Sequence, residues 1–225
     1  MKKGSLLTLI MVVICLILSS QIFASGRTEK AIGTDDPRPG KLIWSTAQTI
    51  TSPDAHMWDV SGDIQINNMY IEGLIEHIGW NVYEPALAES WEISSDYLSY
   101  TFHLRKGVKF HNGDDFSSED VVWSALRMKN MKAGSVAGHL SKLDDIVAID
   151  PYTVKMTFST PNPMIFFDLS YLRIYSKKQA ERDGEKFYEK FIGTGPYKYA
   201  DWKPGEYIRQ YEVTSQFANR GFTLH

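Results

Sequence analysis

The sequence contains very little cysteine. Its 225 residues include a single one, Cys15, which lies in an apolar stretch near the N-terminus. If that stretch is removed during export, the remaining chain has no disulfide, no thiolate nucleophile and no cysteine-based zinc site. An exported protein without cysteine depends on its packed core for stability, which suits a bacterial periplasm or cell surface.

The sequence also lacks a strong excess of one charge. It carries 24 basic and 27 acidic residues, a formal net charge of −3, and has no basic block. Nucleic acid is therefore not expected as a partner. Hydrophobic residues make up 43% and aromatic residues 13% of the chain. That content is enough for a packed core, and the length fits one large domain or two small ones.

The apolar stretch at the N-terminus has the order of a secretory signal peptide. Two lysines precede thirteen uncharged residues, Leu6 to Leu18, and small residues follow at Ala24 to Gly26. Thirteen helical residues reach about 20 Å, which is short of the ~30 Å hydrocarbon core of a membrane. We predict a signal peptide over residues 1–26. The alternative is an anchor that stays uncleaved in the membrane.

The rest of the chain alternates between helix and strand patterns. Residues 27–40 are polar, contain prolines and glycines, and are predicted to be a linker. Apolar spacings of three and four predict a helix over 62–77, and strict alternation predicts a strand from Leu98 to Leu104. Arg105-Lys106-Gly107 then predicts a hairpin turn, with the alternation resuming at Val108 and Phe110. Further predicted elements are a strand at 41–46, a helix after Ser117, strands within 144–158, a helix over 177–190 and strands at 198–202 and 207–213. The predicted class is α/β (mixed α+β).

The segment FHLRKGVKFHNGDDFSSEDV, residues 102–121, crowds histidines and acids together. Metal binding by His111, Asp114 and Glu119 is one interpretation, but their spacing matches no compact metal motif. Architecture is the other. Alternation turns His103 away from the apolar face of its strand, Asn112-Gly113 indicates a turn, and the acids after Ser117 favour a helix start. We favour architecture, and predict neither a metal site, a cofactor nor a catalytic residue.

Two motifs of nucleotide or hydrolase chemistry are also missing. The chain has no G-x-S-x-G nucleophile elbow. The GTGPY segment, residues 193–197, lacks the Lys-Ser/Thr of a P-loop and the three glycines of a dinucleotide site. We interpret it as a tight entry into a strand. The protein is therefore not expected to be an enzyme, although a secreted α/β hydrolase remains the alternative class.

Several segments occur in an order that resembles a known family. They are KLIW, MYIEGLIEH, PALAESWEIS, YTFHLRKGVKFHNGDDFSSEDVVWS, DDIVAIDPYTVKMTFSTPNP and GTGPYKYADWKPGEYI. Together they resemble the family 5 extracellular solute-binding proteins of ABC importers, which include dipeptide-, oligopeptide- and nickel-binding proteins. The resemblance covers about residues 41–210. It implies a type II periplasmic-binding-protein-like fold of two hinged lobes.

The resemblance also implies a domain organisation. Residues 41–210 would form the first lobe, with an inserted subdomain at about 61–170, while 211–225 would be a divergent tail. The second lobe would be absent, so the chain is expected to be truncated, and a non-functional fragment is a further alternative. Family members bind a solute between lobes, without chemistry, and deliver it to an integral-membrane permease.

The resemblance indicates where a ligand would bind. The loop after the first strand, Thr49 to Asp59, would face the cleft between the lobes, and our candidate substrate-binding residues on it are Ile50, Ser52, Asp54 and Met57. The expected ligand is a peptide, with nickel chelates or oligosaccharides as alternatives. The protein would be exported, act in the periplasm or on the outer face of the cytoplasmic membrane, and be a monomer.

Overall fold

The computed structural model describes residues 52–57, 61–132 and 134–212. Both helices and strands lie within these ranges, as the predicted mixed class requires. The α-helices are α1 (Ser61–Tyr70), α2 (Ser118–Asn130), α3 (Ile165–Ser170) and α4 (Lys177–Asp183). The strands are β1 (Ile75–Gly79), β2 (Val82–Pro85), β3 (Ala88–Ile93), β4 (Ser99–Leu104), β5 (Leu143–Asp150), β6 (Thr153–Phe158), β7 (Tyr197–Lys203) and β8 (Tyr207–Glu212). Two 3₁₀ helices span Ser135–Leu140 and Gly184–Lys190.

A four-stranded antiparallel sheet holds much of the core. Its strand order is β3-β4-β6-β5, and Phe102 lies opposite Val154 across the central pair of strands. Alternate residues of β4 and β6 are buried, which gives the sheet one apolar face. Helix α2 packs on β5 and β6 and buries Val121, Ala125 and Met128. Each large apolar side chain buried in this layer contributes about 1.5–3 kcal/mol to stability.

The opposite face of β4 is polar, as its alternation predicts. Thr101 and Lys155 lie opposite each other there, half-buried. His103 is on the same face, with 42% of its side chain exposed, and its Nε2 lies 3.1 Å from Oε1 of Glu92 on β3. The prediction that His103 points away from the core is confirmed.

Helix α1 ends earlier than the apolar spacing predicts. The helix stops at Tyr70, and residues 75–79 form β1 instead of continuing the helix to 77. Gly73 forms an isolated bridge with Arg173, so the chain is extended at this point. Leu74 and Ile75 are fully buried, but neither is helical, since Leu74 lies in a bend and Ile75 begins β1. Buried extended residues and buried helical residues give the same apolar pattern over so short a run, which is why the prediction was wrong.

The predicted hairpin at Gly107 is also absent from the described residues. Strand β4 pairs with β3 and β6, and the residues after Leu104 return as a loop in which Val108 and Phe110 are buried. The loop is fixed by backbone hydrogen bonds, among them Arg105 N–H to Leu87 O at 2.9 Å. The hairpin that is present joins β3 to β4 and turns at residues 94–98, which begin with Ser94-Ser95-Asp96. The buried loop residues Val108 and Phe110 have the same alternating apolar pattern as a strand, which is why the prediction was wrong.

The predictions for the later elements are mostly confirmed. Helix α2 begins directly after Ser117, strands β5 and β6 fall within 143–158, and β7 and β8 form the last hairpin. The helix predicted over 177–190 is divided at Gly184, whose φ of 72° belongs to left-handed backbone. Glycine adopts that conformation without strain, so α4 ends there and a 3₁₀ helix follows.

Some predictions lie outside the described residues. They are the signal peptide over 1–26, the linker over 27–40, the strand at 41–46 and residues 213–225 of the tail. Within the part of the chain that the structure describes, no helix is long and apolar enough to cross a membrane.

Candidate ligand-binding loop

Three of the four candidate ligand-binding residues lie in a short described segment, residues 52–57, which we call the 52–57 loop. Ile50 lies outside the described residues. Ser52 and Met57 are half-buried, whereas Asp54 is only 3% exposed. The Asp54 N–H donates to Ser52 Oγ at 3.1 Å, and the Met57 N–H donates to the Asp54 carbonyl at 2.9 Å. These two bonds close the loop on itself.

Asp54 is held by an arginine from helix α2. Arg127 Nη1 donates to Asp54 Oδ1 at 3.0 Å, and Nη2 donates to Oδ2 at 2.5 Å, so the pair is bidentate. Side-chain exposure is 18% for Arg127 and 4% for Asp54. A buried carboxylate needs such a partner, because an isolated charge out of water is costly. The ion pair therefore ties the 52–57 loop to the helix.

His56 is fully buried beside this ion pair. Its Nδ1 accepts from Arg127 Nη1 at 2.8 Å, so Nε2 carries the proton and donates to the Arg173 carbonyl at 2.8 Å. Burial, and then the positive charge of Arg127, lowers the pKa of His56 from 6.5 to about 4. At neutral pH His56 is therefore uncharged and acts as a hydrogen-bonding link between the loop and residues 173–175.

Two tyrosines hold the remaining backbone of the loop. The Tyr175 hydroxyl accepts from the Ala55 N–H at 2.6 Å and donates to Asp54 Oδ1 at 3.3 Å. The Tyr70 hydroxyl donates to the Pro53 carbonyl at 3.0 Å. Burial is the main cause that raises the pKa of both phenols, so they act as neutral hydrogen-bonding groups. Residues 53 to 56 are thus each held by a side chain or carbonyl from elsewhere in the fold.

The candidate residues differ in how far they are buried and in what they contact. Asp54 uses its carboxylate in internal contacts, while Ser52 and Met57 flank the buried residues at the ends of the loop. Sequence reasoning missed Arg127, His56 and Tyr175. Only the position of Arg127, between apolar residues of a predicted helix, gave a signal, because a charge in such a stripe calls for a partner.

The charge-rich segment 102–121 has an architectural role. Asp120 Oδ2 accepts from the Ser117 N–H at 2.8 Å at the start of α2, and Glu119 forms an exposed ion pair with Lys177. Asp115 pairs with Lys109, and Asp114 accepts from Asn112 Nδ2 at 2.6 Å within the turn. Across the described ranges, no three histidine or acidic side chains come together in a way that could hold a metal ion.

His111 joins the charge-rich segment to the GTGPY segment. Its backbone N–H donates to the Gly193 carbonyl at 2.9 Å, and its Nε2 lies 2.8 Å from the Gly195 carbonyl. Burial lowers the pKa of His111. The other side of the GTGPY segment lies against the end of α1, where the Gly195 N–H donates to the Tyr70 carbonyl at 2.9 Å. A Cβ at Gly193 would lie 2.0 Å from that oxygen, so only glycine fits.

The chain is similar in sequence and in fold to several known proteins. The chain is 34% identical over 151 residues to heme-binding protein A of Haemophilus influenzae, an alignment covering 56% of this chain and 28% of that protein. It is 32% identical over 157 residues to the dipeptide-binding protein of Escherichia coli K12, covering 59% and 29%. The crystal structure of NikZ from Campylobacter jejuni in complex with Ni(L-His) superposes with a TM-score of 0.66 at 29% identity, covering 74% and 34%.

The chain thus spans about a third of the length of these relatives. The family model described as the middle region of the bacterial extracellular solute-binding proteins, family 5, matches residues 82–219. Those residues include the four-stranded sheet, helix α2, the histidine-linked GTGPY segment and the final hairpin. The chain belongs to the bacterial extracellular solute-binding proteins of family 5.

Proposed function

We propose that the chain supplies part of the solute-binding component of an ABC importer, which binds a peptide or a related small solute and delivers it to an integral-membrane permease. The observation that carries the proposal is the family match over residues 82–219. The 52–57 loop, which is fixed by buried polar contacts, is consistent with it. Proteins that bind solutes need rigid loops more than reactive groups, because ordering a loop on binding costs affinity. The role is one of binding, without chemical turnover.

The 52–57 loop is the proposed ligand-binding element. Among its candidate residues, Ser52 and Met57 are partly exposed, and they offer one hydroxyl and one adaptable apolar side chain. Asp54 would contribute mainly by holding the loop, and Ile50 completes the proposed set. We assign residues 41–210 to the first lobe of the two-lobed fold.

The place of action that we propose is outside the cytoplasmic membrane. The family is described as extracellular. The N-terminal apolar run behind two lysines has the order of a signal peptide over residues 1–26. Periplasmic residence, a monomeric state and a membrane permease as partner all belong to this proposal.

Thermal shift with defined probes tests the function. The purified chain would be melted alone and with millimolar dialanine, trialanine, heme or a nickel–histidine complex, because relatives carry the names or bound ligands of these classes. A true ligand raises the melting temperature in proportion to the logarithm of its concentration above the Kd. We expect one of the peptides to give the largest shift.

A parallel assay distinguishes binding from hydrolysis. The same chain would be incubated with a chromogenic ester and a chromogenic peptide amide, and product release followed by absorbance. Turnover of either substrate without any ligand-induced thermal shift would contradict the proposed function and favour a secreted hydrolase. The matched control is the chain with Ser52→Ala and Met57→Ala, whose fold should persist while its thermal shift decreases.

A further inference from the structure

We propose that Arg127 is the positioning residue of the binding loop: its guanidinium fixes the 52–57 loop in one conformation and thereby sets the affinity for ligand, without contacting the ligand through its charge. This inference rests on the proposed function, because it assigns ligand contacts to that loop. It adds a residue from helix α2, distant in sequence, to a site otherwise ascribed to the loop alone.

The first step of the argument is the geometry of the guanidinium. Two of its nitrogens donate to the two oxygens of Asp54, and Nη1 also donates to Nδ1 of His56. One planar group therefore fixes two loop residues at positions 54 and 56. Lysine cannot reproduce this pattern, because its ammonium group is a single point donor without the planar fork.

The second step is the packing around the guanidinium. Its central carbon lies 5.1 Å from the ring centroid of Phe187, 5.6 Å from that of Tyr175 and 5.9 Å from that of Tyr188. Three aromatic rings thus surround the cation and restrict its movement. One of them, Tyr175, also binds the Ala55 N–H, so the ring that packs on the arginine holds the residue between its two partners.

The third step connects this cluster to ligand affinity. Asp54, Ala55 and His56 are buried, so the cluster fixes the backbone between Ser52 and Met57, the two partly exposed candidates. A ligand that contacts Ser52 or Met57 then finds these residues already in place. Without the cluster, binding would have to order the loop, and affinity would fall by that cost.

The experiment compares Arg127→Lys and Arg127→Met with the unmodified chain. Hydrogen exchange of the amides of residues 54–57 reports the loop, and titration calorimetry with trialanine reports affinity. We expect loop exchange at least about 10-fold faster in both variants, and trialanine binding about 10-fold weaker. Amides of β4 and β6 should keep their exchange rates, and Arg127→Lys should melt within about 2 °C of the parent.

Arg209→Met is the matched control. Arg209 also forms a bidentate ion pair, with Asp201 at 2.7 and 2.5 Å, but the pair is exposed on the last hairpin. Its removal should change neither loop exchange nor affinity. An Arg127→Lys variant with parental loop exchange, or with faster exchange but parental affinity, would overturn the proposal.

The experiment distinguishes failure of the proposed solute-binding function from failure of the positioning role of Arg127. If the unmodified chain binds no probe, the proposed function fails as stated, and so does the assigned effect on affinity. Loop exchange in Arg127→Lys still decides whether Arg127 fixes the loop. If Arg127→Met does not fold, Arg127→Lys carries the comparison, because it keeps a cation next to Asp54.

Discussion

The Asp120 carboxylate lies 2.8 Å from the backbone N–H of Lys177, although the two residues are 57 positions apart. The other oxygen of the same carboxylate accepts from the Ser117 N–H at 2.8 Å. A single buried side chain therefore organises the start of two helices, α2 and α4. The residue belongs to the charge-rich segment for which metal binding was the alternative to an architectural role.

Replacing Asp120 tests this architectural role. Asp120→Ala would leave two backbone N–H groups without their acceptor, and we expect it to lower the free energy of unfolding by about 1–3 kcal/mol. The matched control is Glu119→Ala, one residue earlier, whose ion pair with Lys177 is exposed. That change should cost about 0.5 kcal/mol or less. Urea denaturation measures both, and equal losses would contradict the assigned role.

Gly195→Ala tests the contact between the GTGPY segment and α1. A Cβ at Gly195 would lie 2.6 Å from the Tyr70 carbonyl carbon. This clash is with a backbone atom, which cannot move aside as a flexible side chain could. We expect a loss of about 3 kcal/mol or failure to fold. Gly138→Ala is the control, because a Cβ there meets no atom within 4 Å. Its stability, from the same denaturation series, should stay within about 0.5 kcal/mol of the parent.

The buried His56 predicts a pH dependence of stability. Its pKa is about 4 in the folded chain against 6.5 for an ordinary histidine. The unfolded state therefore binds more protons between these values, so stability is complete above pH 6.5 and falls as the pH decreases toward 4. The full difference corresponds to about 3 kcal/mol. Burial lowers this pKa most and the charge of Arg127 lowers it further, while Asp54 and the hydrogen bond to the Arg173 carbonyl oppose them.

Unfolding curves at pH 7.0 and pH 5.0 measure the effect. His56→Gln, which cannot titrate, should lose much of the difference between the two pH values. It should not lose all of it, because the pKa of His111 is also lowered by burial. An unchanged difference in His56→Gln would contradict the assignment.

A chelator should leave the melting temperature unchanged. The His111 ring is engaged by the Gly195 carbonyl and the His103 ring by a single carboxylate, Glu92, and no group of three metal-ligating side chains occurs in the described part of the chain. Differential scanning fluorimetry with and without an excess of EDTA provides the measurement. A fall in melting temperature that added Zn²⁺ reverses would restore the metal interpretation.

Sequence reasoning found the elements whose patterns are local. The alternation in β4 and β6 and the helix start at Ser117 are set by neighbouring residues, and the structure confirms them. It failed where a residue distant in sequence determines the backbone conformation. At Gly73, the bridge to Arg173 makes the chain extended. The candidate site shows the same limit. Asp54 could be selected as a loop residue, but its bond to Arg127 joins positions 73 residues apart, which no local pattern contains.

The link between Ala55 and Tyr175 has a consequence for the order of folding. It joins positions 120 residues apart, and the bond from His111 to Gly195 spans a further 84. Contacts of such separation form late, since the entropy of closing long loops is lost before the contacts compensate it. We therefore expect the β3-β4-β6-β5 sheet to form first, and the loop near residue 55 to settle only after Tyr175 has emerged. In a chain made from its N-terminus, the proposed ligand-binding loop would thus be among the last parts to become fixed, although it is made before the partners that hold it.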